Sequence, residues 1–236
     1  MTKSRQTFRT EHKYYLHIHD YQSLRHRASA MLMMDPNSIN LDGYCIRSLY
    51  FDGPHDHALH DKNNGIFNRE KYRIRIYNGK DDVIAVERKK KRGDYVFKES
   101  FRINREEYDL LRVGDYEFLQ KKDSALLRDF YLALAHRAFR PTAIVEYWRE
   151  AYVYEYGNVR ITFDKKLSAG VNSFDLFDPN LVLEEAIAVP QTIMEVKFDS
   201  FLPDLIRNLI QPQSQHRSSI SKYVICREVN VKHFKE

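Results

Sequence analysis

The chain of 236 residues carries 38 Lys and Arg against 33 Asp and Glu, a net charge of +5, with 43% apolar and 13% aromatic residues. This composition specifies a packed globule rather than a disordered chain, and the length suits one large domain or two small ones. Only 8 glycines are present, below the roughly 7% of average usage, and neither G-x-x-x-x-G-K-[ST] nor G-x-G-x-x-G occurs; a glycine-rich phosphate loop is excluded.

Other classes fall on similar grounds. No apolar run approaches the ~18 residues of a membrane span. The opening MTKSRQTFRTEHKYY has no apolar h-region, so a cytoplasmic setting is expected. Cys45 and Cys226 make neither a disulfide framework nor a zinc cluster and read as buried, reduced thiols. H-E-x-x-H and G-x-S-x-G are absent.

In chain order, Gln6–His17 alternates and predicts a strand. Asp20–Met33 places Tyr21, Leu24, Ala28, Met31 and Leu32 on one helical stripe, with Asp20 as cap. Asp35-Pro36-Asn37 is a turn, and Gly43–Asp52 is a strand rich in aromatic and branched residues. Gly53–Asn68 is polar and His-rich, a loop with a short helix. Three strands follow, Glu70–Asn78, Asp82–Lys91 and Tyr95–Ile103, with Asn78-Gly79-Lys80 and Arg92-Gly93-Asp94 as their hairpin turns. Asn104 and Glu107 form a capping box for a helix through Leu111. Ser124–Arg137 is a helix ended by Arg140-Pro141. Thr142–Tyr154 and Val159–Asp164 are strands joined at Tyr156-Gly157-Asn158, and Thr192–Asp199 is another. Pro203 opens a helix carrying Leu205, Ile206, Leu209 and Ile210, and Ser218–Glu228 is the last helix. The sum is an α+β chain dominated by an antiparallel sheet or barrel.

Strand side chains alternate faces, so parity sorts the charges. Arg9, Glu11 and Lys13 share a face. So do Lys71, Arg73, Arg75 and Tyr77; Glu87, Lys89 and Lys91; Lys98 and Arg102; Tyr147 and Arg149; Arg160, Thr162 and Asp164; and Glu195, Lys197 and Asp199. Each face opposes an apolar one. For one strand the simplest reading is a solvated surface. Repeated across many strands, with acids two residues from bases, the pattern describes a lumen lined by cations and a few carboxylates. Such a lumen must be wet or hold a polyanion. A triphosphate with a divalent metal suits both signs, because Lys and Arg take phosphate oxygens and Glu takes a hard cation.

The motifs R-x-E-x-K (Arg9, Glu11, Lys13), I-R-S-L-Y-F-D (Ile46–Asp52), R-E-K-x-R-I-R-x-Y (Arg69–Tyr77), E-x-K-x-K (Glu87–Lys91), Y-x-R-E-A-Y (Tyr147–Tyr152), V-R-I-T-F-D (Val159–Asp164), M-E-V-K-F-D (Met194–Asp199) and S-K-Y (Ser221–Tyr223) occur in consistent order. Together they resemble the catalytic domain of the vacuolar transporter chaperone (VTC) polyphosphate polymerases, members of the triphosphate tunnel metalloenzymes. The resemblance implies a single domain over 1–236, an eight-stranded antiparallel β-barrel with peripheral helices. It also implies ATP and polyphosphate as substrates, Mn2+ or Mg2+ as cofactor, and γ-phosphate transfer onto a polyphosphate chain. By motif match, Lys13, Arg73, Arg75, Lys89, Arg149, Arg160 and Lys222 are expected to be catalytic. Lys98, Arg47, Tyr147, Lys91, Lys197 and Ser221 are expected to bind substrate, and Glu195, Glu11 and Glu87 to bind metal. Arg9 stands where the hydrolase branch carries the first acid of E-x-E-x-K, which favours the polymerase branch. Eukaryotic members add an inositol-phosphate sensor and a membrane anchor, for which a chain of this length is expected to have no room; a membrane-protein partner remains compatible. A triphosphate hydrolase and a non-catalytic polyphosphate-binding module stay open as alternatives. A nucleic-acid partner is not expected, since the strand aromatics mostly oppose the cations. His55, His57 and His60 lie in a predicted loop with no second ligand cluster in view.

Overall fold

The structure, a computed structural model, describes residues 9–92, 95–187, 190–210 and 217–233. The elements run β1 (Thr10–His17), α1 (Ile18–Met31), β2 (Met33–Met34), β3 (Tyr44–Asp52), α2 (His57–Asn63), β4 (Asn68–Tyr77), β5 (Lys80–Arg92), β6 (Tyr95–Ile103), α3 (Arg105–Val113), α4 (Phe118–Lys121) and α5 (Ala125–Ala135). They continue with β7 (Arg140–Tyr154), β8 (Val159–Val171), β9 (Val182–Glu185), β10 (Gln191–Phe198), α6 (Asp204–Leu209) and α7 (Lys222–His233). All strands join one antiparallel sheet, ordered β1-β10-β8-β7-β3-β4-β5-β6, with β2 added to β7 and β9 to β8.

The expected eight-stranded barrel needs correcting. The sheet has ten strands and does not close, for β1 and β6 are its two edges and do not pair among the described residues. The Lys13 carbonyl on the β1 edge accepts instead from the Ser218 amide at 2.9 Å. The sheet nonetheless curls, because Lys89 on β5 reaches Glu11 on β1 at 3.0 Å.

Local chemistry explains most boundaries. Asn78 and Gly79 both have positive φ (55° and 69°), and Tyr77 pairs with Lys80, giving the two-residue hairpin that Asn-Gly favours. The capping box is present: Asn104 accepts from the Glu107 amide, Glu107 reaches back to the Asn104 amide, and Gly114 ends α3 at φ 86°. Ser124 caps α5 through the Leu127 amide.

Several expectations shift. The first helix starts at Ile18, not Asp20, because the His17 side chain accepts from the His19 amide; Asp20 lies in the first turn. Arg140 and Pro141 do not end a helix but open β7, with Pro141 opposite Phe51 at a bulge. The strand at Val159 runs on to Val171, where β9 pairs with it. The last helix starts at Lys222. The turn at Gly93-Asp94 and residues 6–8 of the first strand lie outside the described residues.

The convex face of β3–β5 packs on α3 and α5 through Tyr72, Ile74, Ile76, Val86, Tyr108 and Phe130, all fully buried. A second core joins α1 and α6 to β8 and β10 through Leu24, Phe163, Met194 and Ile206. Each such aliphatic or aromatic side chain contributes about 1.5–3 kcal/mol by leaving water. The third core positions the site. Tyr223, Val224 and Cys226 of α7 pack with Val145, Leu167, Ala169 and Ile193 of the sheet, so α7 fills part of the concave face and leaves the rest to charged residues. No helix among the described residues is long and apolar enough to cross a membrane.

Candidate functional site

The concave face encloses a cavity of about 1590 Å³. Seventeen Lys and Arg line it against five Asp and Glu, which leaves the rest of the sequence with 21 bases and 28 acids. The modest net charge therefore hides a strong separation of sign. Parity in β4, β5, β6 and β10 produces this lining: Arg73 faces Glu87, Lys71 faces Lys89, and Lys89 faces Lys98 across the ladder.

Three carboxylates organise the cations, Glu195 and Glu87 buried and Glu11 partly so. Glu195 accepts from Lys222 at 2.5 Å and lies 3.2 Å from Lys13, 3.3 Å from Lys197 and 3.9 Å from Arg149. Burial pushes its carboxyl up, but Lys13, Lys222, Lys197 and Arg149 override this and hold it well below the usual carboxylate range. Glu11 accepts from Lys89 and lies 3.5 Å from Lys197; these and Lys13 likewise overcome burial and keep it ionised. Glu87 binds Arg73 and Lys98, each at 2.6 Å, with Arg75 at 3.9 Å, and is held low in the same way.

The guanidinium groups are fixed at several points. Arg149 makes a fork to Asp164, both bonds 2.7 Å, and Lys222 meets the same carboxylate at 2.6 Å. Gly43 sets this spot, since at φ 93° a Cβ there would lie 1.9 Å from the Arg149 carbonyl oxygen. Arg160 donates to Asp35 at 2.7 Å and to the Tyr44 hydroxyl at 2.9 Å. Arg73 donates to the Tyr50 hydroxyl at 2.9 Å, and Arg75 to Ser48 and to Tyr147. Burial raises the Tyr50 phenol, but Arg73 and Arg75 bring it below its ordinary value.

The lysines behave differently. Burial, joined by Arg69, Lys62 and Lys89 against the pull of Asp52, lowers Lys71 to about 7. Burial lowers Lys89 to about 8 despite Glu11. Lys98 and Lys197 also sit below the ordinary lysine value, chiefly through burial. Lys222 is the exception: Asp164 and Glu195 outweigh burial and raise it.

Of the residues named from sequence, Lys13, Arg73, Arg75, Lys89, Arg149, Arg160, Lys222, Lys98, Tyr147, Lys91, Lys197, Ser221, Glu195, Glu11 and Glu87 all line this cavity. Arg47 does not. It sits one residue out of phase with Tyr44, Ile46 and Tyr50, so it points to the other face, where it binds Glu146 at 2.6 Å and the Leu176 carbonyl. Sequence reasoning passed over Tyr50, Tyr44, Asp35 and Lys62. The first two follow from the parity of β3; the last two come from segments without a strand period. Among the described residues, no three His, Cys, Asp or Glu gather as a metal cluster, and the His55 and His57 rings simply meet edge to face at 5.7 Å. Cys45 and Cys226 are free; burial drives both thiols up, Cys45 to about 12.

Solved structures resemble the chain at low identity. An adenylate cyclase-like protein from Bacillus halodurans matches with a TM-score of 0.52 at 13% identity, covering 92% of this chain and 96% of that one. A protein from Pyrococcus horikoshii OT3 aligns over 97% of this chain and 99% of its own, at 13% identity and a TM-score of 0.46. Among curated proteins, none matches the chain. The family model for the VTC domain matches residues 8–231, nearly the whole sequence and every strand of the cavity. The chain belongs to the VTC domain family.

Proposed function

We propose that the protein is a metal-dependent polyphosphate polymerase that transfers the γ-phosphate of ATP onto a polyphosphate chain held in the cavity. The observation that carries this reading is the cavity itself, a concave surface with a large cationic excess built around the buried carboxylates of Glu87 and Glu195 and the partly buried one of Glu11. A polyanion replaces those internal counter-charges and satisfies the cations that they leave over.

The carboxylates also suit a divalent ion. Glu11 and Glu195 are ionised, both contact Lys197, and both offer hard oxygen ligands. Two carboxylates with substrate phosphates and water complete the coordination that Mg2+ or Mn2+ prefers. Bound there, the ion would neutralise charge on the transferring phosphoryl group.

The chain's own residues do the remaining work. Phosphoryl transfer depends mainly on positioning and electrostatic stabilisation. Arg73, Arg75 and Lys98 meet the phosphates from one wall, and Lys13, Arg149, Lys197 and Lys222 from the other. The terminal oxygen of the acceptor chain forms a new bond to the γ-phosphorus as the β–γ bridging bond breaks and ADP leaves. Both partners are anions, so screening their repulsion is the main task. No side-chain nucleophile is needed.

Incubation with ATP and Mn2+ is expected to give long polyphosphate on a gel. Free phosphate as the only product would make the protein a hydrolase, and intact ATP with retained polyphosphate binding would make it a binding module.

A further inference from the structure

Strand β1 pairs with β10 so that Glu11 stands opposite Lys197 and Lys13 opposite Glu195. Side chains alternate along each strand, so all four point into the cavity and their charges form a checkerboard. Both oxygens of Glu195 are engaged, Oε1 by Lys222 and Lys13 and Oε2 by Lys197 and Arg149. The Lys197 ammonium also meets Glu11, so it bridges the two carboxylates, 3.5 Å from Glu11 and 3.3 Å from Glu195. Its neighbours on Glu195 have other anchors. Lys222 and Arg149 bind Asp164 as well, at 2.6 Å and 2.7 Å, and Lys13 donates to the Ile220 carbonyl at 3.2 Å. Among the described residues, Lys197 pairs only with Glu11 and Glu195; its side chain is 23% exposed, which leaves it room to swing.

From this arrangement, and resting on the metal-dependent reading above, we infer that Lys197 gates the divalent ion: its ammonium holds the place between Glu11 and Glu195 in the ligand-free cavity and yields it only when phosphate oxygens draw it away. Oxygen ligands of Mg2+ lie about 2.1 Å from the ion. An ion shared by the two carboxylates would therefore meet the ammonium at close range, in a partly desolvated cavity where like charges repel strongly. A triphosphate changes the balance. Its oxygens offer Lys197 charge-assisted hydrogen bonds, and the flexible lysine stem follows them. Lys222 and Arg149 stay on Asp164, and the two carboxylates are left facing the ion that the triphosphate carries. The metal thus enters as its phosphate complex and has little affinity for the protein alone. By linkage, the factor that the anion adds to metal affinity is the factor that the metal adds to anion affinity. Removing the Lys197 charge breaks this order and leaves both carboxylates in place.

The test titrates the full chain with Mn2+ alone, no phosphate being present, and reads the loss of the free-ion signal by electron paramagnetic resonance. The wild-type protein is expected to bind weakly. Lys197→Met should bind Mn2+ about tenfold more tightly, because a unit charge at close range is gone. Lys197→Gln should show the same gain and serves if the apolar replacement does not fold, as thermal melts report. Lys197→Arg keeps the charge and should stay as weak as wild type. Adding Glu11→Gln to Lys197→Met should abolish the gain. Wild-type affinity equal to that of the uncharged variants, a gain in Lys197→Arg as large as in Lys197→Met, or a gain that survives Glu11→Gln would each overturn the gate. Turnover is not read in this titration. A protein that gates Mn2+ in this way yet forms no polyphosphate from ATP would overturn the reading beneath and leave the gate standing.

Discussion

Binding of long-chain polyphosphate should draw protons from solution, and the two most depressed lysines set the amount. With Lys71 near 7 and Lys89 near 8, about a tenth of the first and half of the second is charged at pH 8. A polyanion that charges both fully takes up about 1.4 protons at pH 8 but only about 0.1 at pH 6. By the same linkage, affinity falls about twentyfold between pH 6 and pH 8. The sign in the ligand-free protein is opposite. Both lysines titrate below their ordinary value, so the fold holds fewer protons than the unfolded chain between about pH 7 and pH 10, and their contribution to stability rises with pH through that window. Isothermal titration in buffers of different ionisation enthalpy reads the uptake directly as a slope. Long-chain polyphosphate is the appropriate probe because its internal phosphates do not titrate in this range. Lys71→Met should reduce the uptake at pH 8 to about 0.5. Tight binding with zero slope at pH 8 would refute the reasoning, since these lysines would then not meet the chain.

Four other outcomes follow from the same geometry. Lys71→Arg should keep the charge, lose the Lys71 share of proton uptake and lower ligand-free stability at pH 8, because an arginine cannot shed its proton there; an unchanged uptake in titration would count against Lys71. Glu195→Gln leaves Lys222 and Arg149 short of a buried counter-charge and should cost about 3–5 kcal/mol, partly restored by tripolyphosphate in thermal melts, with ATP turnover lost; a fully active variant would remove Glu195 from the metal site. Tyr223→Phe deletes the 2.7 Å bond to buried Asp52 and should cost about 1.5–3 kcal/mol; an unchanged melting temperature would show that α7 needs no such anchor. Asn104→Ala removes a surface cap and should cost about 1 kcal/mol with turnover unchanged, so a loss of activity would reveal coupling between α3 and the cavity.

What could be read from sequence was whatever depends on local period. Parity in β4, β5 and β10 sorted cations from apolar residues, and the Asn78-Gly79 turn and the Asn104–Glu107 box follow from two or four residues each. Arg47 shows the cost of taking a motif without its parity, for the strand places it with Glu146 on the convex face. Non-local features stayed hidden. Closure of the sheet depends on whether β1 meets β6, and Ser218, more than two hundred residues from β1 along the chain, occupies the Lys13 carbonyl instead. The end of β8 is set by pairing with β9, which has no alternation of its own. Asp35 and Lys62 reach the cavity from a turn and a short helix, where no strand period announces a shared face.

The two kinds of cation divide the physical problem of an anion cavity. Arg73, Arg75 and Arg149 remain charged when buried, so each is tied to an oxygen from the protein: Glu87 and Tyr50 for Arg73, Ser48 and Tyr147 for Arg75, Asp164 for Arg149. They give a fixed geometry that survives without ligand. Lys71, Lys89, Lys98 and Lys197 lie lower than ordinary lysines, chiefly through burial, and Lys71 and Lys89, at about 7 and about 8, shed part of their charge near neutral pH. The ligand-free cavity therefore limits its own repulsion without adding carboxylates, which would later compete with the substrate. A phosphate loop achieves rigidity with glycine and backbone amides. Here long side chains on paired strands supply the same rigidity, with charge that adjusts to the anion present.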